Sequence, residues 1–176
     1  MNDALSRTDI LRLFTLLNDE LVSENISGEL YVVGGAVMCL VYAARESTHD
    51  VDAYFKPANR IRQAAVRVST KINVAENWLN DSVKGYLTNT GKFDDYLELS
   101  HLKIMCAQAE YLLAMKCLAM RIGEEFHDLD DIRYLLRNLD IRSYQQAYEI
   151  IGRYYPIERF PQKTLYALEE LLADSS

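Results

Sequence analysis

The spacing of apolar and polar side chains divides the chain into two parts. Residues 8–22 place apolar groups at helical intervals, at Ile10, Leu11, Phe14, Leu17 and Leu21. Short runs typical of strands then alternate with helical patterns as far as residue 106. From Ala107 onward the pattern is helical almost to the end. This order predicts an α+β domain at residues 1–106, followed by a C-terminal helical subdomain at residues 107–176.

The individual elements follow from the same periodicities. In the first part, the pattern predicts strands at 30–33, 50–55 and near 73–75, 84–88, 95–99 and 102–106. The helices predicted there lie at 8–22, 35–44 and about 58–70. In the second part, helices are predicted near 108–122, 127–138, 143–153 and 162–173.

Two glycines and two aspartates lie at the ends of the first two long strands. Gly34 and Gly35 let the backbone turn from a buried strand into a helix, whose first N–H groups can bind phosphate. Asp50 and Asp52 alternate along the second strand, so their Cα atoms should lie about 7 Å apart on one face. Such like charges repel unless a cation lies between them, and Mg²⁺ prefers carboxylates together with phosphate oxygens. The pattern predicts a Mg²⁺ (or Mn²⁺) site, and the alternative is a solvated strand end.

Lys116 is the only charged residue in the apolar stretch from Tyr111 to Met120. A helix that is apolar all round is buried, and a buried lysine needs an anion. That anion could be Asp128 or Asp131, which lie three residues apart on one helix face, or the phosphates of a nucleotide. Asp130 should only complement the helix dipole. The alternative for Lys116 is that its ammonium group reaches the surface along its own stem.

These residues resemble the signature of a known superfamily, the DNA polymerase β-like nucleotidyltransferases, and in particular its small, minimal members. The resemblance pairs Gly34-Gly35 with the Asp50-x-Asp52 strand, and it includes Arg45 and Thr48. A second block, residues 110–132 with Lys116 and Arg121, resembles bacterial nucleotidyltransferases related to abortive-infection and toxin–antitoxin proteins. The resemblance covers about residues 28 to 138, and it implies a nucleotidyltransferase-like mixed β-sheet with flanking helices.

The resemblance also implies an activity, in which a nucleoside monophosphate passes from an NTP to an acceptor. The acceptor would be a protein hydroxyl, a tRNA end or a small molecule, and a cognate toxin or antitoxin would be a partner. In the roles that the resemblance implies, Gly34 and Gly35 admit the triphosphate, and Asp50 and Asp52 bind the metal ion. Thr48 bonds a phosphate oxygen. Arg45 and Lys116 neutralise the charge of the phosphates, and Asp128 or Asp131 positions Lys116.

Active members of that superfamily usually carry a third carboxylate on a later strand. Glu98, in the strand predicted at 95–99, is the best candidate for this catalytic role, and the alternative is an ordinary exposed glutamate. The uncertain third carboxylate leaves a second hypothesis open. The chain could be a catalytically inactive nucleotide-binding or partner-binding module, working as an antitoxin or a regulatory protein.

Composition and charge restrict the class of protein and the ligands that it could bind. A hydrophobic content of 49% with 26% charged residues is typical of a globular protein. The net charge of −7 argues against a broad nucleic-acid groove. However, residues 53–75 contain five basic residues and no acidic one, which would suit a triphosphate, an RNA backbone or a solvated helix face. The tyrosines between 144 and 166 suit base stacking, a partner interface or helix packing.

Localisation and metal chemistry follow from what the sequence lacks. The longest nearly uncharged run, residues 30–44, is too short to span a bilayer, and the amino terminus does not resemble a leader. We therefore expect a cytoplasmic protein without membrane partners. The three cysteines have no ligand spacing, which predicts reduced core thiols and no zinc site.

Overall fold

A computed structural model describes residues 4–120 and 127–173. Its helices are α1 (Arg7–Ser23), α2 (Gly34–Leu40), α3 (Ala58–Ile72), α4 (Ala109–Leu118), α5 (Asp128–Asn138), α6 (Tyr144–Gly152) and α7 (Gln162–Ala173). Its strands are β1 (Leu5–Ser6), β2 (Gly28–Val33), β3 (Ser47–Thr48), β4 (Val51–Lys56), β5 (Leu79–Asn80), β6 (Phe93–Glu98) and β7 (Leu102–Ala107). The helices and the mixed sheet confirm the predicted α+β class.

The chain forms two compact units. The first comprises Met1–Leu87 and Phe93–Ala107, and the second comprises Thr88–Lys92 and Gln108–Ser176. The strands β1–β7 and the helices α1–α3 belong to the first unit, and α4–α7 belong to the second. The sequence pattern had divided the chain only once, after residue 106, whereas the short segment 88–92 packs with the later residues.

The first unit is built on a five-stranded mixed sheet in the order β5-β4-β2-β7-β6. Strand β2 is antiparallel to β4 and parallel to β7, while β5 is parallel to β4 and β6 is antiparallel to β7. Helices α1 and α3 pack on each other, and they contact β7 and β4 respectively. The side chains of Leu30, Val32, Ala53, Phe55 and Ile104 are fully or almost fully buried, so alternate strand positions form the core.

Helix α1 starts at a reciprocal capping box. The Ser6 hydroxyl accepts the backbone N–H of Asp9 at 3.2 Å, and the Asp9 carboxylate accepts the backbone N–H of Ser6 at 2.8 Å. Its predicted apolar face is buried at Ile10, Phe14 and the residues that follow one turn apart. This apolar face packs the helix against the sheet.

Four predicted elements differ in the structure. The helix predicted at 35–44 ends at Leu40, and Ala43, which was predicted to be helical, has a positive φ of 51°. The strand predicted near 73–75 is a helix end, where Asn73 adopts the left-handed conformation that closes α3. The strand predicted near 84–88 overlaps a 3₁₀ helix at Ser82–Tyr86. The helix predicted near 108–122 ends at Leu118, since Ala119 and Met120 are no longer helical. The prediction for Arg121 falls outside the described residues.

The second unit centres on α4, whose residues from Tyr111 to Cys117 are buried all round the helix. Helix α4 contacts α5 and α6. The segment 88–92 packs on Tyr111, whose hydroxyl accepts the backbone N–H of Thr88 at 3.0 Å, and Gly91 lies against the same ring. Tyr154 stacks on that ring, with centroids 5.2 Å apart. The Tyr111 side chain is therefore fully enclosed.

Candidate functional site

The turn between β2 and α2 brings three predicted site residues together. Gly34 has a φ of +70°, and a Cβ added to it would lie 3.1 Å from Oδ2 of Asp52. A Cβ added to Gly35 would lie 2.5 Å from Nη1 of Arg45 and 2.8 Å from Oγ1 of Thr48. The side chains of Asp52, Arg45 and Thr48 therefore lie directly against the two glycines. We call these five residues the diglycine site.

The strand register explains how Asp52 reaches this turn. Val33, the last residue of β2, pairs with Asp52 of the antiparallel strand β4. The turn that follows Val33 therefore starts beside the Asp52 carboxylate. Asp52 is half-buried, and its carboxylate lies against Gly34.

Thr48 is fixed by a second, very short pairing. It lies in β3, which pairs with β1 through Leu5 and Thr48, and its side chain is buried. Its hydroxyl donates to the backbone carbonyl of Asp50 at 3.3 Å. A hydroxyl has one proton to donate, so a phosphate bond from Thr48 would have to replace this contact.

Asp50 lies just before β4 and is also half-buried. Its Oδ2 accepts a hydrogen bond from Nδ2 of Asn80 at 3.0 Å. Asn80 lies in β5 and pairs with Asp52 in the parallel β4–β5 ladder. The Asp50 carboxylate is thus held by a residue that is a direct neighbour of Asp52.

Asn80 is a site residue that the sequence analysis missed. The strand was predicted near 73–75, so residues 79 and 80 were not placed beside Asp52. The available signal was the apolar pair Trp78-Leu79 followed by the polar Asn80-Asp81-Ser82, which resembles the end of a short buried strand. A strand of two residues has too few positions for the alternation to be recognised.

The structure does not bring Glu98 to this site. Glu98 pairs with Lys103, which is level with Glu29 and Lys56 at the end of the sheet away from Asp52. Lys56 alone is four residues from Asp52, or about 13 Å along an extended strand. The third-carboxylate role proposed for Glu98 is therefore incompatible with its position in the sheet.

Asp94 and Asp95 of β6 lie nearer than Glu98 to the end of the sheet that carries Asp52, but they are also separate from Asp50 and Asp52. Asp94 pairs with Cys106 of β7, and β7 and β2 lie between β6 and β4, so that three inter-strand spacings separate Asp94 from β4 by about 14 Å. The Asp95 carboxylate forms an ion pair with Lys103 at 3.3 Å. Within residues 4–120 and 127–173, no group of three or more Asp, Glu, His or Cys side chains is arranged to hold a metal ion.

In the second unit, Lys116 forms a buried ion pair. Its Nζ lies 2.6 Å from Oδ2 of Asp131 and 3.7 Å from Oδ1 of Asp128. The side chains of Lys116 and Asp131 are only 8% and 2% exposed, so the lysine does not reach the surface along its stem. Asp130 is 72% exposed and pairs with Arg133 on its own helix. Both carboxylates predicted to orient Lys116 thus contact it, and Asp130 does not.

The basic run of residues 53–75 is largely neutralised within the first unit. Glu20 of α1 bonds both Arg67 and Lys71, and Glu24 pairs with Arg60 and Arg67. The remaining pairs are Arg62 with Asp81 and Lys56 with Glu29. These contacts favour the interpretation that α3 presents a solvated helix face, and they argue against an RNA-binding or triphosphate-binding surface there.

The tyrosines of the second unit mainly pack. Tyr154 stacks on Tyr111, Tyr155 packs edge-on against Phe160, and Tyr144 contacts Tyr148. Tyr166 is exposed. These contacts support helix packing as the reason for most of them.

The cysteines do not supply a nucleophile. Cys39, Cys106 and Cys117 are buried. Burial raises the pKa of the Cys106 thiol to about 12, and burial likewise raises the pKa of Cys117. These two thiols therefore stay protonated near neutral pH, whereas the thiolate is the reactive form.

The fold and the diglycine site together define a class of protein. The first unit places a carboxylate, a guanidinium and a hydroxyl against two adjacent glycines, a set of groups that suits a phosphorylated ligand with a divalent cation. Residues 8–158 match a family model described as "Nucleotidyltransferase of unknown function (DUF6036)". The chain belongs to this nucleotidyltransferase family, and a nucleotide is therefore its implied substrate. Neither the comparison with curated proteins nor that with solved structures gave a match.

Among the described residues, none of the helices has both the length and the apolar character that crossing a bilayer requires.

Proposed function

We propose that this protein is a Mg²⁺-dependent nucleotidyltransferase of the DNA polymerase β-like type, which transfers a nucleoside monophosphate from an NTP to a hydroxyl-bearing acceptor. The observation that carries the proposal is the convergence of Asp52, Arg45 and Thr48 on the two glycines. Membership of the nucleotidyltransferase family supports the same reaction class.

The acidic pair fits a divalent cation. Asp50 and Asp52 are half-buried, and each is tied to the same neighbouring strand, Asp50 by the Asn80 amide and Asp52 by pairing. Asp50 and Asp52 would hold Mg²⁺ (or Mn²⁺), which when bound supplies positive charge against the phosphates of the NTP.

The other residues of the diglycine site act on the triphosphate. Because Gly34 and Gly35 lack side chains, Asp52, Arg45 and Thr48 can lie directly against this turn, where the triphosphate would bind. The Arg45 guanidinium, beside Gly35, neutralises the phosphates as a charged hydrogen-bond donor. Thr48 keeps the backbone before Asp50 in place through its bond to the Asp50 carbonyl.

The proposed reaction is an in-line substitution at the α-phosphorus. An oxygen–phosphorus bond forms from the acceptor hydroxyl, and the bond from the α-phosphorus to the bridging oxygen breaks. Pyrophosphate leaves with the electron pair of that bond, and the hydroxyl proton is released to water. Arg45 balances the charge that develops on the phosphates during this step.

For Lys116 we propose the phosphate-neutralising role that the resemblance implies, with Asp131 and Asp128 holding its ammonium group. The 2.6 Å contact to Asp131 supports the positioning part of this role. A purely structural ion pair is the competing explanation, and the variants of Lys116 described in the Discussion separate the two.

A catalytically inactive module is the second candidate function. It is favoured by one observation, namely that no third carboxylate joins Asp50 and Asp52 among the described residues. In that case the protein would bind a nucleotide or a protein partner, as an antitoxin or regulatory subunit does. A toxin–antitoxin setting is compatible with both candidates, and we propose it as the biological context.

Labelled nucleotides separate the two candidates. The protein is incubated with each α-³²P-labelled NTP, Mg²⁺ and a whole-cell extract. We expect label in a protein, RNA or small-molecule fraction, and its loss in Asp50→Ala. Asp19→Ala, which removes an exposed aspartate of α1, is the matched control and should transfer normally. Absence of transfer from every NTP, together with tight capture of a partner, would instead favour the inactive module.

A further inference from the structure

The Asp50 carboxylate is held by a short polar network that the family match does not assign. Its Oδ2 accepts from the Asn80 amide at 3.0 Å, and the Asn80 carbonyl accepts from Ser82. We infer that Asn80 is a positioning residue, which holds Asp50 in the orientation that binds the metal ion, and that Ser82 sets the direction of its amide. This inference rests on the proposed function, because it concerns the same metal site.

The hydrogen bonds of its oxygen and its nitrogen determine the orientation of the Asn80 side-chain amide. Its Oδ1 accepts the Ser82 hydroxyl at 2.7 Å and the Ser82 backbone N–H at 3.3 Å. A flipped amide would turn its NH₂ group towards the backbone N–H donor and its oxygen towards the Asp50 carboxylate. Both contacts would be repulsive, so the network is consistent with one orientation only, with the NH₂ group donating to Asp50.

The strand that carries Asn80 is anchored in the core. The backbone carbonyl of Trp78 accepts the N–H of Val51 at 2.6 Å, next to Asp50 in the chain. The Trp78 side chain is buried, and its indole N–H donates to the carbonyl of Ala65 in α3 at 3.0 Å. The Asn80 donor is therefore placed by a rigid element, as a residue that orients a metal ligand must be.

The network has a defined consequence for metal binding. One lone pair of Oδ2 on Asp50 is occupied by the Asn80 amide, so Oδ1 is the oxygen left fully available to a cation. Without the amide, the Asp50 carboxylate would lose the hydrogen bond that fixes its orientation relative to β5. Outer-shell partners of metal ligands typically change metal affinity by about 10–100-fold when removed.

Binding of Mn²⁺ to the full-length chain tests this inference. Electron paramagnetic resonance of free Mn²⁺ gives the dissociation constant for the wild type, Asn80→Ala, Asp50→Ala and a control. We expect Asn80→Ala to weaken Mn²⁺ binding by about tenfold or more. Asp50→Ala should abolish it.

Asp81→Ala is the matched control. It removes the neighbouring side chain, which ties the same loop to α3 through Arg62 and contacts Lys84, but it leaves the Asn80 network intact. We expect its Mn²⁺ affinity to stay within about twofold of wild type, since it contributes no donor to Asp50. If Asp81→Ala weakened binding as much as Asn80→Ala, general loosening of the loop would explain the effect, and the inference would be overturned.

Ser82→Ala keeps the test decisive if Asn80→Ala does not fold. It removes the 2.7 Å hydroxyl bond and retains the backbone N–H, so we expect a smaller loss of affinity, of about two- to threefold. An unchanged affinity in Ser82→Ala would overturn the role given to Ser82. In the transfer assay, Asn80→Ala should raise the Mn²⁺ concentration for half-maximal rate, while saturating Mn²⁺ restores kcat. A general folding defect would lower kcat at every concentration.

The remaining outcomes distinguish this inference from the proposed function. If Asp50→Ala abolishes Mn²⁺ binding but Asn80→Ala binds like the wild type, the positioning role is wrong and the proposed metal site stands. If the wild type binds no Mn²⁺ at all, both are overturned.

Discussion

At the scale of single residues, the two glycines of the turn are required for different reasons. Gly34 has a φ of +70°, which side-chain-bearing residues rarely adopt. Gly35 has an ordinary φ but no space, since Arg45 and Thr48 occupy the position of a Cβ. The first glycine is thus required by its backbone conformation and, to a lesser extent, by the Asp52 carboxylate 3.1 Å from the position of a Cβ, whereas the second is required by the binding site alone.

Alanine at each glycine separates these requirements. Gly34→Ala should lower the free energy of unfolding by about 1–2 kcal/mol, because of the left-handed backbone. Gly35→Ala should mainly affect the site, because the end of Arg45 can move aside but Thr48 is β-branched and fixed in β3. We expect nucleotide affinity to fall by about tenfold or more, the equivalent of one lost charged hydrogen bond. Equilibrium dialysis with NTP and urea unfolding measure the two effects.

Gly85→Ala is the control for both. No atom lies within 4 Å of a Cβ added there, and its φ is not positive. It should leave affinity and stability unchanged. Normal nucleotide binding by Gly35→Ala would contradict the placement of phosphate at this turn.

The ion pair of Lys116 gives a second prediction at this scale. Lys116→Met should lower the free energy of unfolding by about 3–5 kcal/mol, because the nearly inaccessible Asp131 carboxylate would lose its cation. The double variant Lys116→Met/Asp131→Leu should recover much of that loss, since a buried apolar pair replaces the ions. Urea unfolding at pH 7 measures both, with the exposed Lys163→Met as control.

Nucleotide binding then separates the two roles of Lys116. The double variant should still bind NTP poorly if the lysine neutralises phosphate. A stable double variant with wild-type NTP affinity would show that the pair is only structural. A single variant as stable as the wild type would contradict the buried pairing itself.

At the scale of elements, α1 and α3 are joined through charges as well as apolar contacts. Glu20 is a buried residue of α1 that accepts from Lys71 and from Arg67 of α3, the latter at 2.8 Å. The hydrogen bonds from Lys71 and then Arg67 hold the pKa of Glu20 below its ordinary value of 4.5. Because the folded pKa lies below the unfolded one, this carboxylate stabilises the fold above about pH 4.5, and the stabilisation is lost as pH falls through the folded pKa.

Glu20→Gln tests this linkage. At pH 7 the free energy of unfolding should fall by about 1 kcal/mol, an amount kept small because Arg67 and Lys71 are partly exposed. Below the folded pKa of Glu20, the difference between variant and wild type should shrink towards zero. Urea unfolding between pH 3 and pH 7 measures it, and Glu76→Gln, at an exposed glutamate of the same unit, should show no such change. A difference that does not vary with pH would argue against the ionised pair.

The elements also show which parts of the fold the sequence could predict. Helices such as α1 and α7 were predicted within one residue of their bounds, because an apolar face repeats over three or more turns. The strands β1, β3 and β5 have two residues each and carry no period, so they were missed. Two of them matter for the site, since β3 carries Thr48 and β5 carries Asn80.

Site residues, too, could be predicted only where their signal is local in the sequence. The diglycine turn and Asp52 could be anticipated because their signal is local, a glycine pair and an acidic strand end. The contact of Lys116 with Asp131 could also be anticipated, from one charge in an apolar helix. The position of Glu98 could not, because it depends on the antiparallel pairing of β6 with β7, a long-range register that local alternation does not encode.

At the scale of the whole molecule, the distribution of charge determines how strongly the protein binds nucleic acids non-specifically. The net charge is −7, and the basic run that could have formed a positive surface is paired with Glu20, Glu24, Glu29 and Asp81. Non-specific nucleic-acid affinity comes from clustered, available Lys and Arg that release counterions. A protein with this charge distribution should not bind duplexes in general.

Filter binding to a random-sequence RNA duplex measures this expectation. At about 0.15 M salt we expect dissociation constants weaker than about 10⁻⁴ M, the weak end of the non-specific range. Tight binding with a steep salt dependence would instead reveal a positive surface that the ion pairs of α3 do not neutralise. The variant Glu20→Gln/Glu24→Gln, which frees part of that run, should bind more tightly than the wild type.

The segment 88–92 has a practical consequence for anyone who divides this protein. It lies in the chain between residues of the first unit, yet Thr88 and Gly91 enclose the ring of Tyr111. Expressing residues 108–176 alone would therefore strip one side of that aromatic ring and leave its hydroxyl without the Thr88 amide. A fragment, a fusion or a transplanted half that is to keep its hydrophobic centre must carry both stretches of polypeptide, because neither half of this protein is contiguous in the gene.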